Sequence, residues 1–321
     1  MPTVLLIDSL VRSLQAGSMY ALMALGLTLT LTVIRLPNFA HSELITLGGY
    51  IALVTSLWLT NSLPLMLVLA FIGSALMAVA CHRTVYRPLS KINTSTYTMI
   101  LASFAVGLIL RYIIFLLADR FDLFDKKIQA PLQVWYRGHN LILTNLFFWA
   151  VPTAILLMVA LSLILNYTTL GRQMRALADN FTLARVLGIP VERVHDLTWV
   201  LVGGLAGVAG AFWGLYTSLN PLLGWLAILS VFAATVLGGM TSFTGTVLGA
   251  YVVALSENTL MQLLNSWFGL DFSFKPAIPF VIIIMVLLLR PQGLTGLSLN
   301  LSGPKHIKES SRELGRAPSS Q

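Results

Sequence analysis

The chain has 321 residues, of which 57% are hydrophobic and 10% charged. A soluble domain carries about a quarter of its residues as Asp, Glu, Lys and Arg, so this composition excludes one: too little charge is present to cover a water-facing surface. The formal net charge of +8 does not argue for a nucleic-acid partner, because most of the surface of such a chain meets membrane lipid and its basic residues report orientation instead.

Apolar segments run at 14–34, 44–60, 63–82, 97–118, 141–166, 197–218, 222–240, 246–264 and 276–290. Crossing a hydrocarbon core takes about 20 helical residues, and the alternating pattern of membrane barrels is absent. The expected fold is therefore all-α: a polytopic helical membrane protein with eight or nine membrane segments, one or two of them broken or re-entrant. Arg12 interrupts the first apolar run before any small-residue cleavage site, so no cleavable leader is expected.

After the first segment comes RLPNFAHSEL (35–44). Pro37 forces a break, and Asn38 reads as the N-cap of a new helix with His41, Ser42 and Glu43 in its first turns. A helix that starts at membrane depth aims free N–H groups and its positive dipole end at a substrate path; the alternative is a cytoplasmic turn followed by a capped helix. His41 and Glu43 lie two apart and point away from each other on a helix, so they do not form a joint metal site. A lone Cys81 excludes an internal disulfide.

Two charges fall well inside apolar segments, Arg111 and Glu257. Counted from the outer ends of their segments they lie at similar depth, roughly 10 Å below the surface. Either they pair with each other or Arg111 snorkels to the outer interface.

The stretch 168–196, TTLGRQMRALADNFTLARVLGIPVERVHD, carries four arginines between two apolar segments. It reads as helix, turn, helix: Gly188 and Pro190 close a short helix at 179–187 that exposes Arg185 and offers Leu183 and Leu187 on an apolar face. Such a helix is a docking surface for a partner, against the plainer reading of a solvated basic loop. In WVLVGGLAGVAGAFWG (199–214) small residues recur every four positions, the spacing that lets helix backbones approach in lipid. Segment 222–240 follows Pro221, ends in Gly238-Gly239 and has the length of a re-entrant element. The polar, Ser-rich tail 297–321 reads as a disordered cytoplasmic extension of a membrane domain at 1–296.

Nine crossings sort the basic residues into two sets. One holds Arg35, Arg83, Arg87, Lys91, the four arginines of 168–196, Arg290, Lys305, Lys308, Arg312 and Arg316; the other holds Arg12, Arg120, Lys126, Lys127, Arg137 and Lys275. The richer set belongs inside, which places the N-terminus outside and both loop 168–196 and the tail in the cytoplasm.

The chain has no phosphate loop, no His-Glu-x-x-His, no Gly-x-Ser-x-Gly and no Cys/His cluster. An enzyme lacks its tools here, no metal or cofactor is expected, and transport remains. A stand-alone secondary transporter would carry ionisable residues in several spans, whereas only Arg111 and Glu257 lie well inside them.

Five motifs in order, NFAHSELITLGGY, TTLGRQMRA, ARVLGIPVERV, AATVLGGMTSFTGTVLGA (233–250) and LLLRPQGLTG (287–296), resemble the permease subunits of branched-chain amino-acid ABC importers, of the smaller, H-type kind. Urea importers use permeases of very similar motifs. Ser42 stands where many relatives carry glycine, and the Glu-Ala-Ala start of other ABC permeases is missing from loop 168–196. The resemblance implies a plasma-membrane importer for branched-chain or other neutral amino acids, or else for urea or short amides. It also implies a second permease subunit in a heterodimer, two cytoplasmic ATPase subunits and an extracytoplasmic substrate-binding protein.

Overall fold

The computed structural model describes residues 2–92, 94–124, 126–130, 133–137, 142–289 and 293; the tail at 297–321 lies outside them. In chain order the helices are α1 (Pro2–Leu29), α2 (His41–Trp58), α3 (Leu63–Cys81), α4 (Arg87–Lys91) and α5 (Thr96–Arg120). A small antiparallel hairpin, β1 (Val134–Arg137) and β2 (Ile142–Thr144), follows. Then come α6 (Asn145–Tyr167), α7 (Thr169–Asp179), α8 (Phe181–Val186), α9 (Val191–Tyr216), α10 (Leu223–Gly238), α11 (Phe243–Leu255), α12 (Met261–Phe268) and α13 (Ala277–Leu289).

Among the described residues seven helices are long and apolar enough to cross a membrane. They include two continuous rods, Leu63–Lys91 and Phe243–Phe268, each widened by one π-turn, at His82–Tyr86 and Ser256–Leu260. The two apolar segments that miss this group are the broken ones. α2 spends its first turn on His41 and Glu43, and α10 has 16 residues, a rise of about 24 Å against a core of about 30 Å.

α1 and α9 form the centre, each 83% buried over its span. α1 packs on α11 as α9 packs on α3, and α2 joins α3 as α10 joins α11, so the two triplets α1–α3 and α9–α11 make matching sets of contacts. Small residues make this possible. A Cβ on Gly210 would drive into the carbonyl oxygen of Ile45 in α2, and one on Gly48 into that of Gly207. The small-residue spacing in 199–214 is thus spent on packing inside the chain. α5, α6 and α13 lie outside, only 22%, 28% and 11% buried.

Contacts bring Arg35 and Arg83 to one end of the bundle, with the segment 168–196, and Lys275 to the other. At one end Arg35 Nη2 donates to the carbonyl of Ala178 at 2.6 Å, and Arg83 pairs with Asp196 at 2.8 Å. At the other, Ser9 meets Thr259 at 2.7 Å, and Lys275 Nζ donates to Asn258 Oδ1 at 2.9 Å.

Arg35 closes the first helix in the left-handed conformation, φ 58°, and the chain turns back between α1 and α5 before α2 starts. His41 Nε2 lies 2.8 Å from the carbonyl of Met23, well inside α1. Ser103, a third of the way along α5, contacts the Phe39 N–H at 3.2 Å. The start of α2 is therefore deep in the bundle. The capping assignment needs correction: Ala40, not Asn38, precedes the first helical residue. Asn38 lies two residues earlier because its Oδ1 accepts from the Ala40 N–H at 3.1 Å and from Tyr86 Oη at 3.2 Å.

Candidate functional site

The break before α2 collects the polar residues that the sequence singles out. Asn38, His41, Ser42 and Glu43 are all buried, at 1%, 0%, 0% and 0% exposure. Their side chains fan out as the two-residue spacing requires. His41 turns to α1; since the Met23 carbonyl can only accept, Nε2 carries the ring proton and Nδ1 has no partner among the described residues. Ser42 Oγ sits 2.8 Å from the Phe39 carbonyl and 3.0 Å from Glu43 Oε1. Glu43 turns to α5, where Arg111 donates to its Oε1 from Nε at 3.0 Å and Nη2 at 2.6 Å.

Both sequence readings of Arg111 fail on this pair. Arg111 neither snorkels outward nor meets Glu257: its guanidinium folds back onto Glu43 and lies 4.2 Å from the centre of the Trp225 ring. An ion pair with a cation–π contact satisfies the charge more fully than a stretched side chain reaching for the interface. Glu257 has its own partners. The π-turn in which it sits directs it inward, where Tyr20 Oη donates to Oε2 at 2.9 Å, Ser230 Oγ donates to Oε1, and Lys275 Nζ stands 3.9 Å away.

What the break presents at the protein surface is aromatic. Phe39 packs on Phe232 and Phe104 at ring-centre distances of 5.3 and 6.1 Å, and Phe104 on Trp225 at 6.1 Å. These rings come from the break, α10 and α5, and Arg111 joins them through Trp225. Sequence reasoning passed over them, since a ring in an apolar segment carries no signal; only Phe39, inside the Asn-Phe-Ala-His motif, offered a pointer. α10 closes the site from the far side: its Gly224 N–H donates to Thr46 Oγ1 at 3.0 Å, and a Cβ on Gly224 would strike the Ser42 carbonyl.

A family model described as a branched-chain amino acid transport system permease component matches residues 9–289. The chain belongs to this family. It is 33% identical over 283 residues to the probable branched-chain amino acid transport permease protein LivH of Methanocaldococcus jannaschii, covering 87% of this chain and 89% of that one. It is 30% identical to the high-affinity branched-chain amino acid transport system permease protein BraD of Pseudomonas aeruginosa, covering 90% and 95%. The ribose import permease protein RbsC of Escherichia coli is 24% identical, with 89% and 87% covered, so proteins named for sugar import are similar as well.

In this permease the loop 168–196 is two helices set against the bundle rather than one. α7 buries Gly171, Met174 and Leu177 and leaves its arginines outward. Thr168 caps it by accepting from the Gly171 N–H at 3.2 Å, and Arg175 reaches back to the Leu165 carbonyl. The expected helix at 179–187 is α8, shorter by two residues at its start and one at its end. Asn180 caps it, accepting from the Leu183 N–H at 3.0 Å, and Gly188 ends the turn at φ 79°. Ala184 alone is buried; Leu183 is 53% and Leu187 72% exposed, with Val186, at 78%, beside them. Arg185 is exposed too but turns toward α4 and α9, away from this apolar edge.

Proposed function

We propose that the chain is the membrane-spanning subunit of an ABC importer that moves branched-chain or other neutral amino acids into the cell by alternating access. Its N-terminus is then outside and its C-terminus cytoplasmic. The observation that carries this reading, within the family assignment, is the aromatic face of Phe39, Phe104, Trp225 and Phe232 at a helix that starts inside the bilayer. An apolar amino-acid side chain suits such a face, and a second permease subunit packed opposite would enclose it as a path. Asn38, His41, Ser42 and Glu43 line the path indirectly: they are buried and hold the break in shape. Conformational work would come from two ATPase subunits gripping α7 and α8, with Leu183 and Leu187 as anchors, Arg185 on the other side of α8 and Gly188 ending the lever. An extracytoplasmic binding protein would deliver the solute.

The test is reconstitution. Proteoliposomes holding this chain, its partner permease and the ATPases, supplied with loaded binding protein, should accumulate leucine only with ATP inside the compartment where the ATPases lie. Accumulation of leucine by this chain alone on an ion gradient would overturn the reading, and uptake of urea or ribose in place of leucine would overturn the substrate.

A further inference from the structure

Between α4, α8 and the start of α9 lies a cavity of about 520 Å³, within the ordinary range of small-molecule sites, about 300–1,000 Å³. It is separate from the aromatic face and touches none of its residues. Its chemistry is mixed in an informative way. Lys91 and Arg185 stand on its wall and make no ion pair among the described residues, whereas Arg87 pairs with Glu192 at the rim. Deeper in, His82 is 4% exposed, and neither of its ring nitrogens has a hydrogen-bond partner among the described residues; the Asp196 carboxylate is 3.8 Å away. His195 Nε2 is buried and unpartnered as well, with the two imidazole centres 5.9 Å apart. The remaining wall is apolar, formed by Phe181, Ile189 and Val191.

Unpartnered buried polar atoms are uncommon because each forgoes the hydrogen bond it makes in water. Here three such nitrogens belong to two histidines that line one cavity, and two cations without an ion pair among the described residues stand on its wall. A carboxylate would pair with the cations and accept from an imidazole N–H, whereas an unprotonated ring nitrogen needs a donor. A carboxylate alone would leave the apolar wall without a role; a zwitterion with an apolar substituent uses that wall as well, and its ammonium can share Glu192 with Arg87. We infer that this cavity binds a free apolar amino acid, its carboxylate between Lys91, Arg185 and the imidazoles, its ammonium at Glu192, and its side chain on Phe181 and Ile189. The inference rests on the transport reading above, which makes this face cytoplasmic and the ligand the product of import. Because Phe181 and Arg185 belong to α8, an occupied cavity would fix the helix that the ATPase must move, and accumulated product would slow its own uptake.

The complete transporter in nanodiscs, where both faces are accessible, tests this with leucine-saturated binding protein and millimolar free leucine. Leucine should lower the stimulated ATPase rate about fivefold, the low end of ordinary coupling between sites. Inorganic phosphate at the same concentration should not, and Lys91→Glu should abolish the response while leaving the stimulated rate without free leucine intact. An ATPase rate indifferent to leucine overturns the inference. Equal inhibition by phosphate does too, since the cavity is then a plain anion site. So does weakened ATPase copurification in Lys91→Glu with the leucine response of the remaining complex unchanged, which gives the cavity to an acidic side chain of the partner. If loaded binding protein fails to stimulate hydrolysis at all, the transport reading falls instead. Binding of radiolabelled leucine to the purified chain, present in the native protein and lost in Lys91→Glu, then still decides the cavity.

Discussion

Arg111 and Glu43 join α5 to the first turn of α2 through two hydrogen bonds to a single carboxylate oxygen, at 3.0 and 2.6 Å. α5 is largely unburied along its length, so this pair, with Ser103 at the Phe39 N–H, fastens a loosely packed helix to the point where the bundle is broken. The Arg111 side chain is 12% exposed and that of Glu43 0%, and each charge depends on the other.

Removing one partner should therefore cost far more than removing both. Arg111→Gln is expected to lose about 3–5 kcal/mol by leaving Glu43 uncompensated, and Arg111→Gln with Glu43→Gln to recover a good part of it. Arg111→Gln with Glu257→Gln should be additive, because Glu257 answers to Tyr20, Ser230 and Lys275. Thermal unfolding in detergent measures all three. Additivity in the Glu43 pair would remove the latch.

Two glycines separate steric demand from backbone demand. Gly210→Ala places a methyl group against the Ile45 carbonyl where nothing can give, and should cost about 1–3 kcal/mol with loss of monodisperse protein. Gly188→Ala meets nothing within 4 Å; its cost comes from φ 79° and should be roughly 1–2 kcal/mol, with normal yield. Equal yields on size-exclusion chromatography would show that α2 and α9 do not approach as described.

Leu187→Asp should leave folding intact, since an exposed position away from packing changes stability by about 0.5 kcal/mol or less. Transport should be abolished and copurification of the ATPase subunits weakened. Wild-type uptake in Leu187→Asp would take the anchor role away from α8.

Single cysteines fix the orientation. With buried Cys81 replaced by serine, a cysteine at Leu183 should react with a membrane-impermeant maleimide only after the cytoplasmic face is opened. One at Trp267, 72% exposed at the opposite end, should react in intact cells. The reverse pattern would invert the protein and move the coupling role off α8.

The apolar segments were legible in the sequence because hydropathy over about 20 residues is a strong, local signal, and α5, α6 and α9 fall close to their expected limits. The short α10 was legible too, from Pro221 and Gly238-Gly239. The partner of Arg111 was not. Depth read by counting along a span assumes that the span starts at the membrane surface, and α2 does not. Glu43, which hydropathy assigns to a polar turn, is carried inward by the break at 35–40, so the acid that meets Arg111 in space was one that counting placed at the other face of the membrane. The π-turns were equally silent. At His82–Tyr86 the extra residue brings Tyr86 onto Trp199, with ring centres 5.1 Å apart, and its hydroxyl onto Asn38; both partners are remote in sequence. The aromatic face has the same origin, since it exists only where three separate elements meet.

A helix that begins halfway down a bundle also has a history. Nascent helices enter lipid according to their own hydrophobicity, and α2, with His41 and Glu43 in its first turn, is not among the seven that meet that requirement. Its counter-charge is synthesised 68 residues later, and α9, whose glycines admit it, later still. The polar start of α2 thus finds its counter-charge and its glycine-lined neighbour only in residues made after it.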